Sequence, residues 1–230
     1  MYQHAYTAGA LPPSHLTRRP VRRGPLPALA VAALCLLALA ATWVVAELVP
    51  AAQVKDTALL NHFVLLGRPR VDSIANGLLH LLDPAPFVLW GLVLVAIALL
   101  RRRPRVAVAV ALVMSLAPLT AETLKPLLAH PHVQIGVTHI DAASWPSGHA
   151  TAALALVLCA VLVAPVRLRP LVTGVGLAFA AAVGCSLLIL AWHMPSDVLG
   201  GYLVASLWMA LAVAALRAGD RRRAAGPQSG

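Results

Sequence analysis

The sequence predicts an all-α integral membrane bundle of six transmembrane helices, with short interfacial helices between spans one and two. Three observations carry this. The 230 residues are 60% hydrophobic and only 11% charged, with a mean hydropathy of +0.82. The apolar residues fall in runs long enough to cross a bilayer, and the arginines fall in short blocks between those runs. A soluble chain of 24.0 kDa needs more than 18 Lys+Arg and 8 Asp+Glu to cover its core. The same composition excludes intrinsic disorder for the chain as a whole.

About 30 Å of hydrocarbon at about 1.5 Å per residue requires some 17–25 apolar residues. Six segments qualify: 25–46, 84–100, 106–128, 148–164, 171–192 and 198–216. The first is too long for a cleaved signal peptide and runs into Glu47 without a small-x-small site, so it is expected to persist as a helix. Segment 47–83 is too polar to span. There Leu59, Leu60, Phe63 and Val64, then Ile74, Leu78, Leu81 and Leu82, recur at helical spacing beside Lys55, Asp56, Arg68 and Asp72. Two amphipathic helices at the outer interface, broken around Gly67-Arg68-Pro69, fit that pattern. Residues 1–24, with Pro12, Pro13 and Pro20, are expected as a disordered cytoplasmic tail, 25–216 as one membrane domain, and 217–230 as a second tail.

Orientation follows from the arginines. Arg18, Arg19, Arg22 and Arg23 precede span one, and Arg101, Arg102, Arg103 and Arg105 separate spans two and three. Arg167 and Arg169 separate spans four and five, while Arg217, Arg221, Arg222 and Arg223 follow span six. These are 14 of the 18 basic residues, and they share one side if the spans alternate. The positive-inside rule then puts both termini in the cytoplasm, in a plasma membrane expected to be a bacterial inner membrane. Segments 47–83, 129–147 and 193–197 lie outside.

A net charge of +10 raises nucleic-acid binding, but there is no continuous basic face and no interleaved aromatics, so no nucleic acid is expected as a partner. Cys35, Cys159 and Cys185 are odd in number, widely spaced and each inside an apolar run, which reads as buried apolar thiols.

Ionisable groups in or beside spans are functional candidates, because a charge in hydrocarbon costs several kcal/mol unless paired or solvated. Glu122, Lys125, His130, His132, His139, Asp141, His149, His193 and Asp197 all fall near the outer ends of spans three to six. In "SWPSGHATAALALV", Pro146 ends a loop, Ser147 is a good N-cap, and Gly148-His149 open an Ala-rich helix. Free N–H groups and the positive end of the helix dipole make that terminus suited to phosphate, and His149 beside it is placed to protonate a leaving group. In "LAWHMPSDVLGG", His193 ends span five and Ser196 is expected to cap span six. Asp197, four residues after His193, can hold one ring nitrogen and leave the other free to attack. Lys125 is placed to reach a bound phosphate, to snorkel to the interface, or to pair with Glu122 at i,i+3.

In this order the residues resemble the type 2 phosphatidic acid phosphatase superfamily, the lipid phosphate phosphatases related to vanadium haloperoxidases. That family carries Lys-x6-Arg-Pro, Pro-Ser-Gly-His and Ser-Arg-x5-His-x3-Asp. Pro146-Ser147-Gly148-His149 matches in full, Ser186, His193 and Asp197 match the third motif at its spacing, and Lys125 matches the first. The resemblance covers roughly 28–216. Both motif arginines are replaced: His132-Val133 stands in place of Arg-Pro, and Leu187 follows Ser186. Two lost charged hydrogen bonds at roughly 1.5–3 kcal/mol each would weaken transition-state binding by roughly 10² to 10⁴-fold.

The resemblance implies that His193 attacks phosphorus to form a phosphohistidine, that Asp197 orients it, and that His149 serves as the acid and then activates water. Lys125, Ser147, Gly148 and, in place of the arginine, His132 would hold the phosphate. No metal and no cofactor are implied. The substrate would be a phosphate monoester or pyrophosphate of a lipid, such as phosphatidic acid or a polyprenyl phosphate, reached from the outer leaflet. Two rivals stand beside this. One is a non-catalytic family member that binds lipid phosphates or is associated with lipid transport. The other is a metal site from His130, His132, His139 and Asp141, against which solvated loop histidines are the simpler account.

Overall fold

The computed structural model describes residues 24–131 and 140–225. The described residues form eight α-helices: α1 (Leu26–Leu48), α2 (Pro50–Val64), α3 (Pro69–His80), α4 (Pro84–Leu100), α5 (Pro104–Leu128), α6 (Gly148–Val163), α7 (Arg169–Ile189) and α8 (Pro195–Ala225). No strand occurs among the described residues. Helices α1, α4, α5, α6, α7 and α8 coincide with the six apolar segments, and α2 and α3 with the two interfacial ones. Helices α1, α5, α7 and α8 are each long and apolar enough to cross a membrane. Together α3 and α4, bent by 53°, make a fifth such unit, while α6 is apolar but shorter, so six is an approximate count of full spans.

The starts are written in proline. Helices α1 to α5 and α7 carry Pro at the first or second position, where its fixed φ suits the helix and its missing N–H costs nothing. Helix α6 instead begins at Gly148 with Ser147 as N-cap, whose side chain accepts from Ala150 N–H. Two ends are Schellman motifs. At α4, Arg103 N–H reaches Ala98 C=O and Arg102 N–H reaches Leu99 C=O, with Arg102 at φ 54°. At α7, Trp192 N–H reaches Leu187 C=O and Ala191 N–H reaches Leu188 C=O, with Ala191 at φ 52°. That motif ends α7 at Ile189, before the expected 192, and turns the chain to deliver His193.

Helices α5, α6 and α8 hold the centre. Val110, Val113 and Ala117 of α5, Ala150, Ala153 and Cys159 of α6, and Val204 and Ala205 of α8 are fully buried. Small residues let backbones approach, which drives helix association where lipid removes the usual hydrophobic gain. A Cβ added at Gly201 would lie 2.5 Å from Ser147 C=O and 3.0 Å from Thr151 N. The first turn of α6 therefore sits directly on α8. On the outside, Leu34 and Leu37 of α1, Leu92 of α4 and Leu171 and Val175 of α7 are more than half exposed, an apolar surface suited to a bilayer.

Several details differ from the sequence reading. The buried face of α2 is Gln53, Thr57 and Leu60, while Leu59 is exposed, because α2 packs on protein rather than lying free at an interface. Helix α8 continues past 216 to Ala225, and Arg105 pairs with Asp220 at 2.8 Å. Cys159 is buried, but Cys185 is exposed and Cys35 intermediate. His132 and His139 lie outside the described residues.

Candidate active site

The α7–α8 turn and the start of α6 meet through one backbone bond: Ser147 N–H donates to Asp197 C=O at 2.9 Å. This brings together the two motifs, which are separated by some 45 residues of sequence. Asp197, fully buried, accepts from His193 Nδ1 at 3.2 Å and from Met194 N–H at 2.9 Å, both on Oδ2. A carboxylate only accepts, so His193 Nδ1 carries a hydrogen, and in the neutral ring Nε2 keeps the lone pair. Asp197 Oδ1 has no hydrogen-bond partner among the described residues. Its charge sits in the first turn of α8, where the helix dipole favours it, and it stands ready to stabilise a cationic imidazole.

Ser196 does not cap α8 as expected. Its Oγ donates to Asp56 Oδ2 at 2.5 Å, and its N–H lies 3.2 Å from Asp56 Oδ1. A carboxylate from α2 therefore takes the capping role and ties the interfacial region to the turn that bears His193. Nothing in the local sequence around Asp56 points to this, since the partner lies 140 residues away.

At α6, the Ser147 N–H is committed to Asp197 and its Oγ to Ala150 N–H, so Ser147 has no backbone donor left for a phosphate. The N–H groups of Gly148 and His149 carry no hydrogen bond among the described residues and form the open donor pair. Lys125 and Glu122 lie against that pair, joined at 2.7 Å. A Cβ at Gly148 would collide with the Glu122 carboxylate and sit 3.7 Å from Lys125 Nζ, so a side chain there would push the Glu122 carboxylate aside. His149 meets the Trp192 ring edge-on, with centroids 5.9 Å apart at 69°. His193, Asp83, Lys125 and Glu122 are the charged or titratable groups that act on it electrostatically.

The structure thus brings His149, His193, Asp197, Lys125, Ser147 and Gly148 to one end of the bundle. His130, by contrast, turns to Pro131 C=O, and Asp141 caps Ala143 N–H. Asp83, Asp56 and Trp192 join the site although the sequence reading did not single them out. Asp83 directly before a proline-started helix signals a loop carboxylate near a helix start, but only the fold brings it to His149. Leu187, in place of the motif arginine, is fully buried and lends its C=O to the Schellman motif.

No curated protein matches this sequence. The fold is similar to that described as "Crystal structure of the first transmembrane PAP2 type phosphatidylglycerolphosphate phosphatase from Bacillus subtilis". The TM-score is 0.67 at 20% identity, covering 86% of this chain and 98% of that one. The PAP2 superfamily profile matches residues 105–220, half of the chain, and takes in Lys125, the Pro146–His149 motif and the His193–Asp197 pair. This multi-pass membrane protein belongs to the PAP2 superfamily.

Proposed function

We propose that the protein is a lipid phosphate phosphatase that hydrolyses a phosphate monoester or pyrophosphate of a lipid at the extracytoplasmic face. The observation that carries this is the His193–Asp197 pair, in which Asp197 holds Nδ1 and leaves Nε2 outside that bond, beside the open N–H pair at the start of α6. His193 Nε2 attacks phosphorus, the bond to the leaving oxygen breaks, and His149 gives that oxygen its proton. Water then attacks the phosphohistidine as His149 takes its proton, and His193 leaves with the electron pair of the P–N bond. Gly148 and His149 N–H groups, with Lys125, offset the charge on the equatorial oxygens. The related crystal structure is of a phosphatidylglycerolphosphate phosphatase, whose name places its substrate in the same chemical class. The arginine blocks support cytoplasmic termini, an outward site and a plasma-membrane location.

The test is phosphate release from a panel of lipid phosphates in detergent micelles, with ³²P trapping. His193→Ala is expected to abolish turnover, and His149→Ala to leave a slow reaction in which label accumulates on protein. Near wild-type rates in both variants would refute the phosphohistidine route. Labelling of Thr138→Cys by an impermeant thiol reagent only after lysis, in a background without the native cysteines, would reverse the face.

A second reading is favoured by two observations: Lys125, the motif cation, is held by Glu122, and Leu187 is packed where the family has arginine. A non-catalytic protein that binds lipid phosphates would show saturable binding with no release from any lipid on the panel.

A further inference from the structure

We infer that Asp83 is a positioning residue for His149, which deepens the phosphatase reading and rests on it. Asp83 occupies the N-cap position of α4 but makes no side-chain capping bond there. Its carboxylate bridges two imidazoles instead. Oδ2 lies 2.8 Å from His80 Nδ1 at the end of α3, and Oδ1 lies 3.9 Å from His149 Nε2 at the start of α6.

The hydrogen bonding around His80 sets its tautomer. His80 Nε2 lies 3.0 Å from Asn76 Nδ2, an amide nitrogen that only donates, so Nε2 accepts and Nδ1 carries the hydrogen that goes to Asp83. A neutral His80 in this arrangement leaves the charge of Asp83 uncancelled. One carboxylate oxygen is anchored on α3 and the other faces His149. At 3.9 Å the second contact has ion-pair rather than hydrogen-bond length, so it acts on His149 when the imidazole is charged, the form that must protonate the leaving oxygen.

The other groups that act on His149 do not supply this. His193, on the α7–α8 turn, repels the charged ring when it is itself charged. Lys125 and Glu122 of α5 oppose one another as a pair at 2.7 Å. Trp192 meets the ring edge-on and limits its tilt. Among the described residues, Asp83 is the carboxylate near His149 that neither lysine nor arginine neutralises. Its side chain is 46% exposed, so solvent screens the contact and the effect on rate is modest.

The experiment compares two leaving groups in wild type, Asp83→Asn and Asp83→Glu, with His62→Ala as an exposed control. A dialkylglycerol phosphate releases an alkoxide that needs the acid, whereas p-nitrophenyl phosphate releases a phenolate that does not. For Asp83→Asn, kcat/KM on the dialkylglycerol phosphate is expected to fall about fivefold while that on p-nitrophenyl phosphate holds, with partial recovery in Asp83→Glu. An equal fall on both substrates shows a merely structural role, and no fall on either shows no role; each overturns the inference. A readout without turnover is the ¹⁵N shift of the His149 ring at fixed pH, in ring-labelled protein assigned with His149→Gln. It is expected to move in Asp83→Asn and stay in His62→Ala. An unmoved shift overturns the inference whatever the activity. A moved shift in a protein that releases phosphate from no substrate leaves the Asp83–His149 contact standing and rejects the phosphatase reading.

Discussion

The two ends of α6 are finished in opposite ways. At the C-terminal end the carbonyls of Leu162, Val163 and Ala164 accept from Arg103 at 3.3 Å, Arg101 at 2.8 Å and Arg169 at 3.3 Å. At the N-terminal end Ser147 Oγ takes the Ala150 N–H, and the Gly148 and His149 N–H groups keep no partner among the described residues. A helix leaves unsatisfied carbonyls and partial negative charge at one end, and unsatisfied N–H groups and partial positive charge at the other. Here cations from the α4–α5 loop and the start of α7 close the first end, while the second remains open to an anion. The arginines on which the proposed orientation rests thus also cap a helix, and the end they do not reach is the one with the histidines.

If that contrast is right, changes at the open end alter chemistry and changes at the closed end alter stability. The largest effect is expected for Asp197→Asn, which keeps the volume but removes the charge that holds His193 Nδ1–H. A fall of about 10³-fold in kcat is expected, with a thermal midpoint in micelles close to that of wild type. A comparable loss of midpoint would mean that Asp197 serves mainly to hold α6 and α8 together.

Arg101→Ala should do the reverse. Removing a charged hydrogen bond to Val163 C=O at a half-exposed site is expected to cost about 1–2 kcal/mol of stability. Phosphate release per folded molecule should be unchanged, and a drop in kcat at full occupancy would show that the closed end reaches the site.

Glu122→Gln sharpens the comparison at the open end. It frees Lys125 from a 2.7 Å pair and removes a carboxylate lying against Gly148, so KM for a lipid phosphate is expected to fall about threefold. A rise in KM would mean that the pair holds Lys125 in its working position. The smallest effect is expected for Ala191→Gly. Glycine takes the left-handed conformation of the Schellman position without a Cβ penalty, which should add about 0.5–1 kcal/mol of stability. A loss of activity without a gain in midpoint would show that a stiff turn is needed to aim His193.

Much of this protein was legible because the signals are local in the chain. Hydropathy placed five of the six long segments, and the start of the sixth, within a few residues of the observed helices, since the length of an apolar run and a proline at its start are properties of neighbours in sequence; α8 runs on to Ala225, past the expected 216. Pro146-Ser147-Gly148-His149 and His193–Asp197 were legible for the same reason: a cap, a helix start and an i,i+4 contact lie within one turn. The commitment of the Ser147 N–H to Asp197 C=O was not, because a sequence names donors without saying which acceptor will arrive first. Nor was the Asp56–Ser196 bond across 140 residues, or the bridge from Asp83 to His149.

By itself, then, the sequence determined that the chain is a helical membrane protein, roughly where its helices run, and which end of α6 would start at a capped glycine. Tertiary structure alone decided which carboxylates meet which imidazoles, which arginines find which carbonyls, and which N–H groups stay open. Helix formation depends on backbone bonds three to five residues apart, so a local pattern specifies it. The pairing of side chains from different helices depends on the rotation and depth of each helix against its neighbours, and those are set by small-residue contacts such as Gly201 on Ser147 and Thr151, which exist only once the bundle has closed.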